Sequence, residues 1–136
     1  MSSLLERLST VLAEVATVEE ADDALTVMQP GVVASLRVVT IADGLEMVSL
    51  TQPLAWDLPL NAKTREKVAR QAAKTLLGTV ALVEKVPDPA GNGAAKKSAD
   101  VLLRYNFPGA GLADDALRTL ILMVLSAGAD VRAALS

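Results

Sequence analysis

The feature that most restricts the fold is a dipeptide. Asp43-Gly44 stands between Val32 to Ala42, rich in β-branched residues, and Leu45 to Gln52, which alternates polar and apolar positions. Asp-Gly between two such runs is a strong short hairpin signal, because a two-residue turn of this kind needs positive φ. An antiparallel strand pair is therefore expected at the centre of the chain, and an all-helical fold is excluded.

A lone hairpin is marginal in water, so its neighbours must supply further strands and a covering layer. Residues 3 to 16 place Leu4, Leu5, Leu8, Val11, Leu12 and Val15 at helical spacing, with Glu6, Arg7 and Glu14 elsewhere. Ser2 or Ser3 can cap this helix, and Glu6 lies three residues after Ser3 in a capping-box arrangement. The next segment has two readings. Thr17 followed by Glu20 can cap a second helix through Ala24, or Glu19 to Asp23 is an acidic loop leading into a short strand from Ala24 to Met28. The meander downstream favours the loop and strand. Pro30-Gly31 then turns the chain, and Pro53, which cannot donate to a ladder, is expected to end the pairing. Three antiparallel strands should thus occupy roughly residues 24 to 52.

Asn61 is placed to cap a second helix running through Leu77 and stopped by Gly78. Val68, Ala69, Ala72, Ala73, Leu76 and Leu77 form its apolar stripe. Lys63, Lys67, Arg70 and Lys74 line another face, which reads more readily as a solvated surface than as an anion site. Thr79 to Val86 and Asp100 to Phe107 read as a fourth and a fifth strand. Between them Pro87 to Ala99 is expected to be a long mobile hairpin loop. Its glycines lack phosphate-loop spacing and do not open a helix.

Pro108 to Gly111 leads into a last helix from Leu112 to about Leu135, with Asp114 and Asp115 at its positive end. Leu117 and the run Leu120 to Leu125 make that helix apolar on more than one side. Such a helix must be buried on several sides, by its own sheet or by another subunit, and a homodimer is the expectation. The expected class is α+β, in one domain over residues 1–136: helix, three-stranded meander, helix, two-strand hairpin, helix.

Composition decides what chemistry remains. The chain has no Cys and no His, which removes disulfides, thiolate metal sites, Cys nucleophiles and Ser-His-Asp triads. The adjacent acids Glu19-Glu20, Asp22-Asp23 and Asp114-Asp115 point in different directions on regular backbone, so none is naturally a catalytic dyad. The Glu19 to Asp23 cluster lacks the ligand order and central glycine of a calcium loop. No enzyme activity, cofactor or metal is expected. The longest uncharged apolar stretch, Leu120 to Leu125, is far below the roughly 18 to 20 residues that span a bilayer. No basic-then-apolar leader opens the chain. A soluble, cytoplasmic protein without membrane contact is expected.

Charge is divided unevenly around a net of −3: residues 1 to 60 carry nine acids against two bases, and residues 61 to 136 eleven bases against seven acids. An overall acidic chain with 2% aromatic residues is a poor nucleic-acid binder, so complementarity within or between subunits is the simpler account. With catalysis set aside, the connector from Pro53 to Leu60 stands out. Leu54, Trp56 and Leu58 are concentrated between two prolines, where an extended protein or peptide client can dock. The competing account is that Trp56 and Leu58 plug the end of the sheet.

The order of elements resembles that of type III secretion chaperones and of the YbjN-like bacterial family, often labelled sensory transduction regulators. Val48-Ser-Leu-Thr-Gln-Pro-Leu54 is similar to the YbjN-like third strand, which ends in a small residue followed by Pro-Leu. Leu77-Gly-Thr-Val-Ala-Leu82 resembles the helix-to-strand junction, Leu102-Leu-Arg-Tyr-Asn-Phe-Pro108 the last strand, and Asp114 to Asp130 the terminal helix. The alanine-rich middle helix and the extra residues before Ser98 depart from the pattern. The resemblance implies a homodimeric α/β sandwich that binds segments of other proteins, chaperone-like, or a regulatory scaffold that binds a folded partner or small ligand.

Overall fold

A computed structural model describes residues 3–85 and 97–136. Its elements, in chain order, are α1 (Leu4–Ala13), β1 (Thr17–Ala21), β2 (Ala24–Gln29), β3 (Val32–Ala42), β4 (Leu45–Pro59), α2 (Ala62–Lys74), β5 (Thr79–Lys85), β6 (Ser98–Pro108) and α3 (Asp114–Leu135). The six strands form one antiparallel sheet in the order β1-β2-β3-β4-β6-β5. The class is α+β, as expected, with one more strand than expected and with all strands joined in a single sheet.

Local signals explain most of the boundaries. Ser3 Oγ accepts from Glu6 N at 3.1 Å, and Asn61 Oδ1 accepts from Thr64 N at 2.8 Å, so both anticipated caps are made. Gly44 turns β3 into β4 at φ 76°.

Four boundaries differ from expectation, each for an identifiable reason. The acidic segment expected as a loop is strand β1, paired with β2 from Thr17↔Met28 to Ala21↔Ala24. Its turn is Asp22-Asp23, both left-handed at φ 50° and 62°, a conformation aspartate tolerates better than most residues. Pro53 does not end β4. The β3–β4 pairing stops at Ser35↔Thr51, while Pro53 faces Leu102 of β6, so its missing N–H lies on the side where no ladder is required. Helix α2 ends at Lys74 instead of Leu77: Thr75 is extended, and its hydroxyl donates to Gln71 O at 2.9 Å. Helix α3 starts two residues later than expected, at Asp114, after Leu112 N donates to Gly109 O. The loop expected over 87 to 99 lies outside the described residues as far as residue 96, and its last two residues, Ser98 and Ala99, belong to β6.

All three helices pack on one face of the sheet, and the core lies between. Leu8 and Leu12 of α1, Leu25 and Val27 of β2, Leu36 of β3, Leu50 of β4, Leu103 of β6, and Leu117, Ile121 and Leu125 of α3 are fully buried there. Helix α3 crosses β3 and β4 with α1 on one flank and α2 on the other. This flanking absorbs the apolar excess that the sequence assigned to a partner subunit. Leu120 packs against the core, Leu122 is half-buried, and Met123 remains 49% exposed. At the centre, Gln52 is buried with its Nε2 donating to Leu125 O at 3.4 Å and its Oε1 unpartnered. Gly128 lies directly over that amide, where a Cβ would overlap it.

Candidate functional site

The three residues singled out on the connector do not share one environment. Leu54 is 2% exposed and belongs to the core, so it offers nothing to a client. Leu58 is half-buried against the core, while Trp56 is 54% exposed. Register irregularities lie between Pro53 and Ala55 and between Ala55 and Leu58, and Asp57 is left-handed at φ 55°. This bulge resets the alternation of β4 and turns Trp56 outward. The plug account thus fits Leu58 and fails for Trp56. The guanidinium of Arg132 lies 5.9 Å from the Trp56 ring centroid and also donates to Gly31 O at 2.6 Å, so the indole sits against a held cation.

Beside Trp56 an ion cluster ties the bulge to the edge of the sheet. Lys85 Nζ lies 2.6 Å from Asp57 Oδ1 and 3.0 Å from Asp100 Oδ1. Asp100 Oδ1 also accepts from Asp57 N at 3.0 Å. That backbone hydrogen bond, and then the one from Lys85, hold the Asp100 carboxyl below its ordinary range. Hydrogen bonds to Asp57 and Asp100 raise the Lys85 ammonium above its own. The cluster clamps the bulge, and its three charged groups satisfy one another.

The basic face of α2 is exposed. Arg70 meets Glu66 within the helix, and Arg65 reaches Glu84 on β5. Val68 is the helix's one buried residue, so α2 is a thin cover over the β5 end of the sheet.

Among the described residues, the face of the sheet opposite the helices is left uncovered, which sequence reading missed. There Val33, Val39, Ile41, Leu45 and Val83 are exposed, by 62% at Ile41. Val39, Ile41, Leu45 and Met47 line a groove of about 580 Å³ that ends at Ser49 and Asn106. Beside it, pairing aligns Glu19, Thr26, Ser35, Thr51, Arg104 and Thr79 in one row across all six strands. The adjacent row carries Ala21, Ala24, Arg37, Ser49 and Asn106. A signal for this face was available: Val32 to Ala42 is apolar at both parities, whereas a strand covered on one side alternates.

No family model matches this chain, and no curated protein matches it either. Among solved structures it is similar to the crystal structure of YbjN from E. coli, a protein provisionally described as a transcription regulator, with a TM-score of 0.59 and 13% identity over 94% of this chain and 87% of that one. The chain has a YbjN-like fold. No helix among the described residues is long and apolar enough to cross a membrane.

Proposed function

We propose, with the YbjN-like fold as premise, that this chain is a non-enzymatic, chaperone-like protein-binding module that holds segments of partner proteins as a cytoplasmic homodimer. The observation that carries this reading is the open sheet face. A solvated sheet face ordinarily alternates to polar residues, yet this one presents Val33, Val39 and Ile41 on β3 alone. Exposed apolar patches of this kind mark interaction sites. Trp56 against Arg132 adds a second exposed element of the residue types that dominate protein interfaces.

The edges of the sheet support the dimer. β1 carries Glu19 and Glu20 and ends at Asp22-Asp23, so two copies of it side by side repel. β5, Thr79–Lys85, has no charge before Glu84 and no proline, so its free edge is unguarded against a second copy of itself. The alternative, a regulatory domain that docks a folded partner, draws on the provisional description of YbjN as a transcription regulator.

A photo-cross-linking residue placed at Ile41, at Trp56 and, as a control, at Glu66 tests the module reading in cells. Adducts to other proteins are expected from the first two positions and not from Glu66. Equal labelling from all three, or none, overturns the reading. Light scattering should find a species of twice the 14.2 kDa chain mass. A monodisperse monomer at about 100 μM, well above ordinary homodimer dissociation constants, removes the dimer.

A further inference from the structure

The middle of the open face is polar and carries two cations that, among the described residues, have no carboxylate partner. Arg37 on β3 and Arg104 on β6 are both exposed, and register places both on this face, opposite in parity to the buried Leu36 and Leu103. Ser35, Ser49, Thr51 and Asn106 fill the positions between and beside them. Two strand spacings and one two-residue step separate the two Cα atoms, about 12 Å in all. Over such a span two extended arginine side chains can reach one group above Ser49 and Thr51.

Among the described residues neither guanidinium meets a carboxylate. Asp100, on the same face, is committed to Lys85 and the Asp57 amide. Glu19 shares a row with Arg104 four strand spacings away, about 19 Å, and stands about 12 Å from Arg37 without pairing to it. The two cations are thus free to meet an acid brought by another chain. Two cations on an acidic protein make a poor footing for a polynucleotide, which needs several phosphate contacts.

We infer that the open face binds an extended acidic segment of a partner protein, with one carboxylate held between Arg37 and Arg104 and adjacent apolar side chains seated in the Val39, Ile41, Leu45 and Met47 groove. This rests on the protein-binding reading above and names the chemistry of the segment. The groove ends at Ser49 and Asn106, the residues that border the two arginines. A carboxylate and the next outward-facing apolar residue of an extended peptide are therefore presented to neighbouring sites in the spacing of a strand.

The probes are twelve-residue peptides of alternating Leu and Ser with a central Glu, Gln or Lys, together with a twelve-nucleotide oligouridylate. Binding is read by fluorescence anisotropy at low and at 300 mM salt. The Glu peptide is expected to bind about tenfold tighter than the Gln peptide, with the advantage shrinking at high salt. The Lys peptide and the oligonucleotide should bind weakest. In the Arg37→Gln, Arg104→Gln double variant the Glu and Gln peptides should bind alike, with both still held. Ile41→Ser should weaken both peptides by a similar factor. All substitutions are at exposed sites, and matching melting curves verify the fold. Equal binding of Glu and Gln peptides to the parent protein overturns the acidic anchor and leaves the docking surface standing. Tightest binding of the oligonucleotide also overturns it. Failure of every probe to bind overturns the anchor and tells against the docking reading as well.

Discussion

Leu54 and Trp56 are two residues apart on β4, yet one is 2% exposed and the other 54%. Steps of two along a regular strand return to the same face. The register break between Pro53 and Ala55 separates them here. Leu54→Ala should therefore cost about 2–5 kcal/mol, as for a leucine removed from a core, and Trp56→Ala no more than about 1 kcal/mol. Thermal melts of the two variants check this, and a large fall for Trp56→Ala would return the indole to a structural role. Periodicity could group Leu54, Trp56 and Leu58 between their prolines, but it could not divide them, because a bulge set by one backbone conformation leaves no trace in hydropathy. The ion cluster sets a pH window. Asp100 titrates lower in the fold than in the unfolded chain, so its contribution is present above its unfolded value and is lost as pH falls through its folded one. Lys85, raised, contributes below its unfolded value and loses that contribution as pH rises through its folded one. Denaturant titrations of Asp100→Asn should accordingly show a flatter acid limb than the parent, and an unchanged acid limb would contradict the assignment.

Between elements, the closest approach is that of α3 to β4 at Gly128 and Gln52. Gly128→Ala forces the helix off the sheet and should destabilise by about 1–3 kcal/mol, the usual cost of overpacking. Gln52→Leu removes a buried oxygen without a partner and should be neutral or stabilising. Urea midpoints of both variants measure the pair, and a strongly destabilised Gln52→Leu would mean that its Nε2 bond to Leu125 O outweighs the orphaned Oε1. Elements announced by dedicated chemistry were legible in the sequence: the Asp43-Gly44 hairpin, the Ser3 and Asn61 caps, and the apolar stripes of α1 and α3. Elements whose identity depends on a neighbour were not. β1 looked like a loop because edge strands tolerate the acids that buried strands refuse. Pro53 looked like a terminator because nothing local reveals that its pairing with β3 has already stopped while that with β6 continues. The several apolar sides of α3 were legible as a need for cover, but not that α1 and α2 would share that cover with the sheet.

For the whole molecule, the described helices all lie on one side of the sheet, so the buried core and the exposed apolar face occupy opposite sides. Helix α1 buries Leu4, Leu8, Val11 and Leu12 against α3 and the first three strands. At about 1.5–3 kcal/mol for each such side chain, its loss is comparable to the 5–15 kcal/mol by which a domain is stable. A chain beginning at residue 15 should show no cooperative melt by circular dichroism, and a retained sharp transition would mean that α3 and the sheet suffice. The chain order of the core matters too. β4 waits for its second neighbour, β6, until α2 and β5 have intervened, and α3, which roofs β3 and β4, follows every other element. A nascent chain thus holds β3 and β4 without the helix that roofs them until its final element arrives. A product cut short before Asp114 therefore keeps the apolar side of β3 and β4 uncovered and within reach of proteases.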